Sequence, residues 1–243
     1  MESVTSRVLR VLDAFSAEHP DLSLSEIGRR TGLPLATVHR LVGELVTWGA
    51  LERDGRGRYC VGLRLWEVAA LAPRGLGLRD IAMPFLEDLY EATHENVQLA
   101  VLDGTDVVYL ERISGRNAVP VLTRVGGRWP AHATGVGLVL LAYAPVEAQE
   151  RYLAGPLAVF TGKTIADPAR LRRALAEVRH RGFAVSDGQV TLDALSVAAP
   201  IRGSGNDVVA ALSIVVRRGT TEPATLAPAI RTAALGISRA LRR

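Results

Sequence analysis

Three side chains able to hydrogen-bond to a nucleic acid, Thr37, His39 and Arg40, stand together in the 243-residue sequence, and two more guanidiniums, Arg56 and Arg58, follow on a glycine-rich turn. Thr37 and His39 can donate to phosphates or base edges, Arg40 can clamp a phosphate or a guanine, and arginines on a turn can reach the backbone or the minor groove. Arg53 is a weaker member of the set. The surrounding residues are those needed to present such a group. Ser23-x-x-Glu26 predicts a capping box that opens a short helix ending at Thr31. Gly32-Leu33-Pro34 predicts a tight turn, with Gly32 left-handed and Pro34 starting the next helix. Val38, Leu41, Val42 and Leu45 form the apolar stripe of a helix over 35–48, and Gly49 stops it. Strands over 50–53 and 58–61 flank a hairpin tip at Asp54-Gly55-Arg56-Gly57. An amphipathic helix over 4–17 precedes the whole. Cap, turn, second helix and basic hairpin in this order describe a winged helix-turn-helix, which places its second helix in the major groove of double-stranded DNA. A protein-docking module is the competing reading, in which Arg40 pairs with Glu44 at i,i+4 and covers a solvated face.

A second constellation suits a small anion. Thr134-Gly135-Val136-Gly137 opens a helix of small residues whose first amides are free and whose dipole favours negative charge. Ser196 and Ser213 lie on strands predicted over 194–201 and 208–217, with Ser186 and Gln189 just before them, so their polar groups can converge on one cavity. Trp129 and Leu195 are candidate walls, and Asp187 and Asp193 would suit a cationic ligand instead. The elements around them are helices over 78–94, from about 133 to 144, 168–181 and 224–240, with strands over 97–102, 105–112, 119–125 and 183–186. Helices mixed with mostly antiparallel strands make this an α+β chain. The pattern changes character near 72–78, and the expected organisation is a DNA-binding domain over 1–62, a linker helix and hinge over 63–77, and a ligand-binding domain over 78–243.

Other chemistry finds little support. The five histidines include no pair at i,i+4 and no His-Glu-x-x-His motif, and one cysteine, Cys60, cannot build a metal cluster or an internal disulfide. Ser204 in Gly203-Ser204-Gly205 reads as a turn, and His132 reads as a residue that orders the loop before the small-residue helix. The chain is therefore expected not to be an enzyme and to carry no metal or cofactor. There is no signal-peptide run and no convincing membrane span, so the reading is a cytoplasmic protein. The net charge of +4 permits a nucleic-acid partner without demonstrating one, since Lys163 is the single lysine among 29 basic residues and an arginine-rich composition also follows from a GC-rich genome.

The run Leu24-Ser-Glu-Ile-Gly-Arg-Arg-Thr-Gly-Leu-Pro-Leu-Ala-Thr-Val-His-Arg, then Gly49 through Gly62, resembles the DNA-binding domain of IclR-type bacterial transcriptional regulators. Pro130-Ala-His-Ala-Thr-Gly-Val-Gly-Leu, Arg181-Gly-Phe-Ala-Val-Ser and Ser196-Val-Ala-Ala-Pro-Ile resemble the family's other blocks, in the same order. The resemblance implies a GAF-like α/β effector-binding domain that takes a small organic molecule, often a carboxylate or aromatic acid, with contacts at Thr134, Gly135, Val136, Ser186, Gln189, Ser196 and Ser213. It also implies dimers through the helices at 4–17 and 63–71, paired further into tetramers, and regulation of either sign. The sequence departs from the family habit at Leu35-Ala36, Leu138, Ser186, Asp193 and Ser196.

Overall fold

Ser23 begins the second helix as its neighbours demand. Its hydroxyl accepts from the Glu26 amide, and the Glu26 carboxylate accepts from the Ser23 amide at 2.8 Å. The computed structural model describes residues 2–72 and 75–242, and these fall into two compact units, residues 1–72 and 73–243. In the first unit, α1 (Val4–Asp13) precedes a short strand β1 (Asp21–Leu22), α2 (Leu24–Thr31), α3 (Leu35–Trp48), the hairpin strands β2 (Leu51–Arg53) and β3 (Tyr59–Val61), and α4 (Leu63–Ala69). Gly32 takes φ +67° between α2 and α3, a left-handed conformation that only glycine adopts at no steric cost. Ile27, Val38, Leu41, Val42 and Leu51 are essentially fully buried and form the core of this unit.

Two expectations change here. The first helix ends at Asp13, not 17, because the chain turns back through a bridge between Ser16 and His19. The wing is also not a lone hairpin: β1 pairs with β3, making a three-stranded antiparallel sheet in the order β1-β3-β2. Pro73 and Arg74, inside the expected hinge, lie outside the described residues.

The second unit starts with α5 (Leu76–Thr93) and continues through β4 (Asn96–Asp103), β5 (Asp106–Ile113) and β6 (Arg128–Pro130) to a 3-10 turn at Ala131–Ala133. Then come α6 (Gly135–Ala142), α7 (Val146–Leu153), α8 (Pro168–Arg181), β7 (Ala184–Asp187), β8 (Ala194–Arg202), β9 (Val208–Arg217) and α9 (Pro223–Ala240). The six strands form one antiparallel sheet in the order β6-β5-β4-β9-β8-β7. Alternation along each strand sends side chains to two different cores. Leu195, Val197, Leu212 and Ile214 pack with α5 and α9, whereas Ala198, Ala211, Ala100 and Tyr109 face α6 and α8. The result is an α+β chain with a helical layer on each face of the larger sheet.

The strand expected over 119–125 is a loop. Its polar groups are held by side chains rather than by a ladder: Asn96 Nδ2 donates to the Val119 carbonyl at 2.8 Å, and Arg112 Nη1 to the Thr123 carbonyl at 2.8 Å. Strand pairing resumes only at Arg128, as β6. Helix α7 had no counterpart in the sequence expectation.

Candidate functional site

In the first unit, α3 presents Leu35, Ala36, His39 and Arg40 to solvent, with Thr37 half-buried. Arg40 Nη1 pairs with Glu44 Oε1 at 2.6 Å, both side chains more than half exposed. A pair of this kind is worth about 0.3–0.5 kcal/mol, so it is cheaply exchanged for a phosphate. At the wing tip, the Asp54 carboxylate accepts from the amides of Arg56 and Arg58 at 2.9 and 2.8 Å and fixes the turn. Arg56 is exposed, with no ion-pair partner among the described residues. Arg58 is placed differently. Its guanidinium bonds to the Asp21 carboxylate, donates to the Asp21 carbonyl at 2.8 Å and lies 3.0 Å from Glu26 Oε2. It thus ties the wing to β1 and to the start of α2. Hydrogen bonds from the Ser23 amide and hydroxyl, aided by Arg58, hold the Glu26 carboxyl below its ordinary range. Arg53 lies over the Tyr59 ring.

In the second unit, one small cavity opens between α6 and the sheet. Thr134, Gly135, Val136, Ser186, Gln189, Ser196 and Ser213 all line it. The strand register explains their convergence: Ser186 sits opposite Ser196, and Ser213 sits opposite both Ala198 and Gln98, all on the α6 face. Thr134 Oγ1 caps the Gly137 amide at 3.1 Å. The amides of Gly135 and Val136, the first two of α6, have no protein acceptor among the described residues. A Cβ at Gly135 would lie 2.6 Å from Ser196 Oγ, so glycine lets the helix end approach the sheet. Gly137 has a packing role, since a Cβ there would lie 2.1 Å from the Ala131 carbonyl.

Gln189 is 4% exposed, and its Oε1 accepts from the Ile165 amide. Ser186 Oγ donates to the Ala133 carbonyl at 3.3 Å. No lining residue is charged. Burial pushes the Tyr109 phenol upward, against a smaller opposing effect of Thr134, so the group stays a neutral donor.

The expected walls are elsewhere. Leu195 points to the opposite face of the sheet, and Trp129 packs edge-on against Phe160 at 5.2 Å between centroids. Asp187 is bound by Lys163 at 2.7 Å and Arg218 at 2.8 Å and does not line the cavity; nor does the exposed Asp193. Sequence reasoning missed Gln98, Tyr109, Val121, Leu122, Thr123 and Thr191. The available signal was a glutamine inside the apolar run Val97-Gln98-Leu99-Ala100, which is buried throughout.

His132 is buried one turn before α6. The Tyr152 hydroxyl accepts from its amide at 3.0 Å and donates to Nδ1 at 2.8 Å, and Nε2 donates to the Ala158 carbonyl at 2.9 Å. Burial lowers its pKa, so the ring is neutral. Among the described residues there is no group of three His, Cys, Asp or Glu side chains able to hold a metal, and no helix long and apolar enough to cross a membrane.

Comparison with known proteins connects both units to one family. The model of the bacterial transcriptional regulator IclR C-terminal domain matches residues 71–239, and that of the IclR helix-turn-helix domain matches residues 4–55. The HTH-type transcriptional regulator XynR of Escherichia coli K12 is 31% identical over 97% of this chain and 95% of its own. KipR of Bacillus subtilis 168 is 34% identical over 90% of each. Among solved structures, an IclR homolog from Microbacterium hydrocarbonoxydans complexed with 4-hydroxybenzoate is 41% identical, covers 99% of both chains and superposes with a TM-score of 0.93. The IclR protein of Thermotoga maritima is 27% identical over 98% of both chains, with a TM-score of 0.80.

Proposed function

Because this chain belongs to the IclR family of bacterial transcriptional regulators, and is thus a DNA-binding regulator rather than an enzyme, we propose that its effector is a small aromatic acid. The carboxylate would be held by the free amides of Gly135 and Val136, with the hydroxyls of Thr134 and Ser196 beside them. The observation that carries this reading is an uncharged cavity whose main electropositive feature is the start of α6. A buried carboxylate without a cation needs several charge-assisted hydrogen bonds, and this helix end supplies them. The commitment of Asp187 to Lys163 and Arg218 argues against a cationic ligand. The 4-hydroxybenzoate complex of the Microbacterium relative supports the same ligand class. Ser186, Gln189 and Ser213 complete the proposed contacts.

On the DNA side, Thr37, His39, Arg40 and Arg56 are the proposed operator contacts, and Arg58 contributes chiefly by holding the wing in place. The proposed domain boundaries are 1–62 for DNA binding, 63–77 for the linker and 78–243 for the effector domain. Val4 and Leu9 on α1, with Leu63, Trp66 and Val68 on α4, leave large apolar side chains in water, which supports a homo-oligomer. An effector changes operator occupancy only if it binds one arrangement better, and a tenfold change needs about 1.4 kcal/mol of coupling.

Selection of genomic fragments by the purified protein at near-physiological salt, with and without 4-hydroxybenzoate, tests the reading. The expected result is an approximately palindromic enriched site whose recovery changes with the acid. Enrichment that is unaffected by any aromatic acid, in a protein that binds an amine or a neutral compound, overturns the effector class.

A further inference from the structure

The cavity has a second polar end that the anion site leaves unused. Gln98 is 2% exposed on β4, inside an otherwise apolar stretch, and its side chain lines the cavity. Its Nε2 donates to Thr123 Oγ1 at 2.6 Å. Its Oε1 receives only a long contact, 3.5 Å, from the Ser213 hydroxyl. A carboxamide oxygen has two lone pairs, and a buried acceptor served by one weak bond has capacity for a donor from a ligand. In the sheet, β4, β9 and β8 are consecutive and Gln98 lies level with Ser213 and Ala198, so Ser196 is two strand spacings across and two residues along, about 12 Å away. One benzene ring with substituents at opposite ends bridges such a gap when a hydrogen bond is made at each end. Thr123 belongs to the loop that the sequence suggested as a strand, and Val121, Leu122 and Thr123 line the same cavity from outside the sheet. Among the described residues, three side-chain bonds fasten residues 119–123: from Asn96 to Val119, from Gln98 to Thr123, and from Arg112 to Thr123. Only the Gln98 bond comes from a cavity-lining side chain.

We propose that Gln98 reads a hydroxyl on the effector opposite its carboxylate, with Oε1 accepting a hydrogen bond from that hydroxyl while Nε2 stays fixed on Thr123, so that the cavity, with the 119–123 loop tied over it, takes hydroxylated aromatic acids in preference to unsubstituted ones. This rests on the aromatic-acid reading of the cavity. The energetic basis is asymmetry: a hydroxylated ring satisfies the acceptor, whereas benzoate buries it against a carbon–hydrogen edge and loses the bond.

Calorimetric titration of the full chain with 4-hydroxybenzoate and with benzoate separates the possibilities. The wild-type protein is expected to bind the hydroxylated acid at least tenfold more tightly. Gln98→Leu is expected to bring the ratio of the two affinities close to one, while benzoate binding changes less than about threefold. Thr123→Val lies on the partly exposed loop, spares the sheet, and is expected to reduce the ratio severalfold, which keeps the idea testable if Gln98→Leu does not fold. A purely structural tether would weaken both acids equally and leave the ratio unchanged, and that result overturns the proposal. Equal binding of both acids by the wild-type protein also overturns it while the aromatic-acid reading stands. Binding of neither acid removes that reading and the proposal with it.

Discussion

The two wing arginines illustrate how identical side chains acquire different work from their neighbours. Arg56 has no ion-pair partner among the described residues, whereas Arg58 is bound to Asp21 and Glu26. Arg56→Ala is expected to weaken operator binding several-fold in a fluorescence anisotropy titration and to leave the melting temperature unchanged. Arg58→Ala is expected to lower the melting temperature of the first unit, with the difference shrinking as salt rises because the pair is partly solvated. Arg40→Ala is expected to weaken operator binding by tenfold or more and to reduce the steepness of the salt dependence by about one unit of log K per log salt. Effector binding should survive that change, and unaltered operator affinity would refute the assignment of α3 as the recognition helix.

His132 makes a pH prediction. Its folded pKa lies below the ordinary 6.5, so between the two values the unfolded chain binds more protons than the native one. Stability from this site is complete above about 6.5 and is lost as pH falls from there through the folded value. The melting temperature of the second unit is expected to fall on acidification below pH 6.5. Replacement by glutamine, which cannot titrate, should flatten the part of that slope due to this site.

At the scale of elements, the start of α6 is decided by how closely it meets β8. The space for a Cβ at Gly135 is taken by Ser196 Oγ at 2.6 Å. Gly135→Leu is therefore expected to abolish the response of operator binding to effector while leaving operator affinity intact, as read by gel shift with and without acid. Gly135→Ala should be milder, and Ser196→Ala combined with it should recover part of the response by removing the obstructing oxygen. Full effector response in Gly135→Leu would place the ligand elsewhere. The loop at 119–126 carries the opposite lesson. Its apolar residues resemble a strand, yet Val121 and Leu122 serve the cavity and Leu122 is 67% exposed. A ladder there would have consumed the backbone groups that Asn96 and Arg112 hold.

For the whole molecule, the prediction concerns symmetry. A two-fold dimer would read two half-sites about one helical turn or a multiple apart, so the enriched operator should be close to palindromic. Sedimentation of the wild-type chain against a variant carrying Trp66→Glu tests the assembly. The expected result is a lower oligomer for the variant, with weaker binding to the full site than to an isolated half-site when each is compared with wild type. Unchanged sedimentation would remove α4 from the assembly.

How much of this was legible in the residues follows their range of action. The capping box at Ser23 and Glu26, the turn at Gly32, the stripe on α3 and the hairpin at Asp54–Gly57 are set by contacts a few residues apart, so the winged helix could be read directly from the order of residue types. The seven expected cavity residues were also legible, partly through free amides and paired serines and partly through family likeness. The opposite face taken by Leu195, the pairing of β1 with β3, the capture of Arg58 by Asp21 and the arrival of Gln98 opposite Ser213 depend on strands distant in the chain meeting in a particular register. Register and face are chosen by the packing of two cores against one sheet, a balance of burial over the whole unit that no local spacing records. The sequence by itself therefore determined which local devices exist, and the tertiary structure decided which of their side chains remain free to meet a ligand or DNA.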